Sequence, residues 1–102
     1  MAADYLTGKG YVILRKNYRY KKAEIDLIAE REKELVFVEV KYRKSNAFGY
    51  PEEFVSERKE ELVRSAAENY LSEKGWTGDF RFDIVSITKG VIPDIEHFED
   101  AF

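Results

Sequence analysis

A chain of 102 residues with 44% apolar and 36% charged side chains has room for one compact domain, expected to span 1–102, and no apolar run nears the roughly 18 residues of a membrane-spanning helix. The absence of Cys removes disulfides, zinc–thiolate sites, Fe–S clusters and thiol catalysis, and the single His (His97) removes most histidine-based metal sites. The net charge of −3 hides an asymmetry: residues 1–50 carry 11 basic and 7 acidic side chains, whereas residues 51–102 carry 6 and 13. Chemistry, if present, must run on carboxylates, Lys, Arg, Tyr or bound ions.

Residues 2–8 read as the last turns of a helix, with Leu6 apolar and Gly8 or Gly10 as the stop. Tyr11-Val12-Ile13-Leu14 is an apolar run of the length of a short buried strand, and Asn17–Lys22 reads as a loop or as that strand continued. Between Lys9 and Lys22 lie six basic residues (Lys9, Arg15, Lys16, Arg19, Lys21, Lys22) and no acidic one, with Tyr11, Tyr18 and Tyr20 among them. Such a stretch could follow a phosphate backbone while its rings meet sugar or base; its plain alternative is a solvated strand and loop. The lack of a basic segment followed by an apolar run predicts no signal peptide, and with the lack of Cys this points to a cytoplasmic protein.

Ala23–Glu30 and Glu34–Lys44, separated by Arg31-Glu32-Lys33, read as an antiparallel hairpin. If Glu32 and Lys33 form the loop, paired residue numbers sum to 65. Asp26 then stands opposite Glu39, and Ile28 opposite Phe37. Alternation puts Ile25, Leu27, Ala29, Val36, Val38 and Val40 on one wholly apolar face, to be covered by a helix. The other face carries Ile28, Leu35 and Phe37 toward the turn and Glu24, Asp26, Glu39 and Lys41 away from it. A loop follows over 45–51, then a helix over 52–74 with Val55, Leu62, Val63, Ala66, Tyr70 and Leu71 at helical spacing and Gly75 as its stop. Arg81–Thr88 is a strand, Lys89-Gly90 a turn, and Ile92–Phe98 a last strand or extended tail. The order α-β-β-β-α-β(-β) makes the chain α/β, a small mixed central sheet of four or five strands flanked by helices.

The residues that could carry chemistry are Asp26 on one hairpin strand and Glu39-Val40-Lys41 on the next. With 14 Glu and 10 Lys, a Glu-x-Lys triplet is expected about once by chance. A second one, Glu57-Arg58-Lys59, falls in the helix, where residues two apart diverge; in a strand the same spacing puts both groups on one face. Two carboxylates on opposed strands repel unless one is protonated or a cation sits between them. Mg²⁺ or Mn²⁺ suits such a place, with Asp26, one Glu39 oxygen and the Val40 carbonyl as protein ligands. Lys41 could then orient or help deprotonate a water and offset charge developing on a phosphate, a set suited to phosphodiester hydrolysis. The plain alternative is an exposed cross-strand ion pair worth about 0–1 kcal/mol. Against it stand the acids set inside the apolar runs Ala-Glu-Ile-Asp-Leu-Ile and Phe-Val-Glu-Val-Lys. His97 reads as an ordinary surface or interface residue, Trp76 as packing, Tyr42 and Tyr50 as cover for the sheet edge, and Lys59 as solvated or aimed at a phosphate.

These residues resemble the YraN family of small bacterial proteins. The likeness runs through Tyr5-Leu6, Gly10-Tyr11 with Ile13-Leu14 and Asn17, Glu24-Ile25-Asp26-Leu27-Ile28, Val36-Phe37-Val38-Glu39-Val40-Lys41 with Arg43, Phe48-Gly49, Arg81-Phe82-Asp83 and Ala101-Phe102. The resemblance implies a restriction-endonuclease-like three-layer core, similar to archaeal Holliday-junction resolvases and other PD-(D/E)xK nucleases. It implies Asp26, Glu39 and Lys41 as the motif's two acids and lysine, and nuclease activity on branched or structured DNA. Arg15, Lys16, Arg19, Lys21, Lys22, Arg43 and Lys59 are the residues expected to meet nucleic acid, and resolvase-like relatives imply a homodimer. Family members begin with a longer helix bearing a Gly-Glu pair whose Glu resembles a further metal-site carboxylate; here the sequence opens at Met1-Ala2-Ala3, so the first helix is expected to be shortened. A non-catalytic nucleic-acid-binding module on the same fold, or a protein-interaction domain using the acidic helix and C-terminus, are the alternatives.

Overall fold

The computed structural model describes residues 1–43, 56–90 and 92–102. Their elements are α1 (Ala2–Gly8), β1 (Val12–Tyr20), β2 (Ala23–Arg31), β3 (Glu34–Arg43), α2 (Glu57–Lys74), β4 (Asp79–Thr88) and β5 (Asp94–Phe98). The strands form one five-stranded sheet in the order β1-β2-β3-β4-β5. All neighbours are antiparallel except β3 and β4, which run parallel across the α2 crossover. This is the α/β arrangement expected, and of the stretch Ile92–Phe98 the residues Asp94–Phe98 form the last strand. The loop expected over 45–51, Phe48-Gly49, Tyr50 and positions 52–55 with Val55 lie outside the described residues, and the helix expected over 52–74 starts at Glu57, because Ser56 is extended and caps it. Among the described residues no helix is long and apolar enough to cross a membrane.

Helices cover both faces. On one, α2 sets Val63, Ala66, Ala67 and Tyr70 against Tyr18, Ile25, Ile28, Leu35, Phe37 and Phe82. On the other, α1 brings Ala2 and Leu6 onto Leu27, Ala29, Val36, Val38, Val85 and Ile87, with Tyr11 beside them. Ser56 caps α2 by accepting the Lys59 N–H, and Gly75 ends it in the left-handed region at φ 62°.

Two expectations change here. The run Tyr11–Leu14 is not a buried strand: β1 is a sheet edge, Val12 and Leu14 are exposed, and the buried side chains around it are Tyr11 and Tyr18. Strand β1 continues through the basic stretch to Tyr20. Ile25 does not share a face with Leu27 and Ala29; it packs on the α2 side with Ile28. The alternation slips at Asp26, which lies across from Asn17, and Asn17 is left-handed at φ 52° between the pairs Lys16–Leu27 and Tyr18–Ile25.

The hairpin register holds. Arg31–Glu34, Ile28–Phe37 and Leu27–Val38 pair as the two-residue loop requires. Glu32 and Lys33 both take positive φ, 53° and 66°, so the turn twists with its strands although neither residue is the Asn or Gly that favours this geometry.

His97 is not an ordinary surface residue. Its side chain is 2% exposed, and Nε2 lies 2.6 Å from Oδ2 of Asp83, which is fully buried. Arg81 donates to both Asp83 oxygens, to Glu34 at 2.7 Å and to Tyr11 Oη at 2.5 Å, and Asp100 N–H reaches Asp83 Oδ1 at 3.0 Å. Burial alone would raise the Asp83 pKa; the hydrogen bonds from His97, Arg81 and Asp100 outweigh it and hold the carboxyl below its ordinary value. This network ties β4, β5 and the residues after α1 together.

Candidate functional site

The β2–β3 ladder ends at Leu27–Val38, one step short of the acids. Beyond it the strands are joined by a side chain: Asp26 Oδ2 accepts the Val40 N–H at 2.8 Å. The direct Asp26–Glu39 pairing expected from the register is therefore replaced by a carboxylate bridge, in keeping with the slipped alternation at Asp26. Asp26 and Glu39 nonetheless border one cleft of about 350 Å³ on the α2 side, with Lys22, Glu24, Ser56, Arg58 and Lys59 around it. Asp26 also borders a second cleft, of about 290 Å³, lined by Ala2, Lys16, Asn17, Leu27, Val40 and Tyr42. Leu27 and Ala2 belong to the core on the α1 side, so Asp26 is reached from both faces of the sheet.

Glu39 is 6% exposed, which a carboxylate tolerates only with partners. Its Oε1 lies 3.3 Å from Lys41 Nζ and accepts a short hydrogen bond from Lys59 Nζ. Burial raises the Asp26 pKa above its ordinary value, the Val40 hydrogen bond opposes that, and the negative charge of Glu39 adds to the rise. Asp26 is thus an acid held where its charge is costly, the electrostatic condition that a cation relieves.

The donor set fits a hard divalent ion. Asp26 and Glu39 present carboxylate oxygens to one cleft, and the repulsion between them falls when a cation sits nearby. Among the described residues no three acids or histidines cluster at metal-binding separation, so the protein ligands would be the two carboxylates and the Val40 carbonyl, with water as the remainder.

Of the cationic residues expected to meet nucleic acid, Lys22 and Lys59 line the acid-bearing cleft and Lys16 the opposite one. Lys21 lines a neighbouring groove with Tyr20 and Leu62. Arg15 stacks over Tyr18, its guanidinium carbon 5.1 Å from the ring centre. Arg19 is held by Glu24 at 3.0 Å, and Arg43 ends β3, its carbonyl taking the Lys89 N–H at 2.8 Å. These three line neither cleft. Lys59 is not simply solvated: it reaches Glu39 across the gap between α2 and the sheet. Sequence reasoning assigned no role in the site to Ser56 and Arg58, because only the docking of α2 places them at the cleft. Tyr42, 62% exposed, borders the second cleft rather than covering the sheet edge.

The profile of the uncharacterised protein family UPF0102 matches residues 1–87. A UPF0102 protein of Cytophaga hutchinsonii is 46% identical over 92 residues, covering 90% of this chain and 81% of that protein. One from Flavobacterium psychrophilum is 44% identical over 103 residues, covering all of this chain and 87% of its own length. Another, from Geotalea daltonii, is 41% identical over 105 residues, covering all of this chain and 83% of that protein.

Proposed function

The chain belongs to the UPF0102 (YraN-like) family, and from that premise we propose that it is a metal-dependent nuclease domain hydrolysing phosphodiester bonds of structured or branched DNA. The observation that carries this reading is the pair Asp26 and Glu39 bordering one cleft, with Lys41 on the Glu39 oxygen. A bound Mg²⁺ or Mn²⁺ would polarise a phosphoryl oxygen and make water a better nucleophile. Asp26 and Glu39 would hold such an ion. The Val40 N–H fixes the Asp26 carboxylate so that it need not reorganise. Lys41, 22% exposed at the side chain, would offset charge on a phosphate in the transition state and orient the attacking water. Lys16 and Lys22, one on each cleft, guide the backbone of the nucleic acid.

The test adds Mg²⁺ or Mn²⁺ to the protein with junction, single-stranded and duplex DNA. Metal-dependent cleavage of the junction is expected, with losses of about 100-fold or more in Asp26→Ala and Glu39→Ala. Cleavage unchanged in those variants would overturn the assignment. A second reading, binding without cleavage, is favoured by one observation: Glu39 already has two ammonium partners. Its signature is salt-dependent DNA binding with no metal-dependent turnover.

A further inference from the structure

Lys59 stands where a helix alone would not place it. It is the third residue of α2 after the Ser56 cap, and the first turn of a helix favours acids because its free N–H groups make that end positive. Its amine crosses instead to the sheet and takes Glu39 Oε1, the oxygen that Lys41 also reaches. Two ammonium groups on one carboxylate oxygen exceed what a single negative charge needs. They also differ in freedom: the Lys59 side chain is 40% exposed against 22% for Lys41, and it borders the open cleft.

We infer that Lys59 is a resident counter-cation that competes with a divalent ion for Glu39, holding the acid when no ion is bound and moving off it toward the solvent side of the cleft when one is. The inference rests on the metal-assisted reading of the site. A dication beside Asp26 and Glu39 repels the Lys59 ammonium, and a half-exposed side chain of four methylenes has room to turn away. The freed charge then lies at the cleft mouth, where a phosphate would enter. Were Lys59 only a tie between α2 and the sheet, removing it would weaken the fold and leave ion affinity where it was.

Mn²⁺ binding, read by the loss of its free-ion paramagnetic resonance signal, separates these cases in wild type, Lys59→Met and Glu39→Gln, with a thermal melt of each. Met keeps the length and apolar stem of Lys and removes the charge. Lys59→Met is expected to bind Mn²⁺ about fivefold more tightly, the factor that a modest ion pair corresponds to, and Glu39→Gln to lose binding. Equal or weaker binding by Lys59→Met, with wild-type binding still dependent on Glu39, would overturn the inference and leave the metal-assisted reading standing. No binding to wild type or to Lys59→Met at millimolar Mn²⁺ would overturn that reading and the inference with it. A second measurement does not depend on the variant folding: in wild type the Lys59 ε-methylene resonance should shift as Mg²⁺ is added. A Lys59 resonance that stays fixed while Mg²⁺ binds would equally overturn the inference.

Discussion

Asp26 is expected to be an acid that the fold pays to keep. Its folded pKa lies above the ordinary value near 3.8, so the native state binds a proton more readily than the unfolded chain. The destabilisation is therefore full above the folded pKa and fades as pH falls toward the ordinary value near 3.8. Asp26→Asn keeps an acceptor for the Val40 N–H and removes the charge. It should raise the melting temperature at pH values above the folded pKa while abolishing the proposed metal-dependent cleavage, and the gain should shrink toward pH 4. Asp83 has the opposite sign. Its folded pKa is lowered, so its contribution is present above pH 3.8 and is lost as pH falls further through the folded value. Asp83→Asn leaves Arg81 and His97 facing a neutral group in the core, and urea unfolding at pH 7 should show a loss of about 3–5 kcal/mol. Neither residue's environment could be read locally. Asp26 depends on the slip opposite Asn17, and Asp83 on the pairing of β4 with β5 that brings His97 alongside.

At the level of elements, the hairpin was the most legible part of the chain, because its two-residue loop fixes the pairing of Ile28 with Phe37 and of Leu27 with Val38. What period-two reasoning could not supply was the point at which the period breaks. A left-handed Asn17 on the neighbouring strand sends Ile25 and Leu27 to different faces, and the ladder stops before Glu39. The turn itself offers a test. Glu32 and Lys33 both occupy the left-handed region without being Gly or Asn, so the double replacement Glu32→Asn with Lys33→Gly should stabilise the protein by about 1 kcal/mol in thermal melts. An unchanged or lower melting temperature would show that the strain is compensated elsewhere. Helix α2 was legible in its apolar spacing and its Gly75 stop, but the reach of Lys59 to Glu39 depends on where the helix docks, which spacing alone does not encode.

Across the whole molecule, a net charge of −3 coexists with cationic side chains around the clefts, so the proposed binding to DNA should depend strongly on salt. Lys22→Ala should lower affinity and reduce the slope of log K against log salt concentration by about 1, whereas Arg19→Ala should do less because Glu24 already holds that guanidinium. Fluorescence anisotropy over a salt series would check both, and equal effects from the two substitutions would count against the cleft as the binding surface. The resemblance visible in the residues from Glu24 to Lys41 anticipated the family and the two-sided covering of the sheet. It could not anticipate that Asp26 would be open to both faces.

The sequential strand order has a kinetic consequence. β1, β2 and β3 meet through short turns, so this meander closes at low entropic cost and can form on a nascent chain before α2 has been made. At that stage Asp26 and Glu39 already belong to adjoining strands, while Lys59 has yet to arrive. Docking of α2 then covers an apolar face and delivers an ammonium to an acid in the same event, so the late step of assembly is favoured by electrostatics as well as by burial.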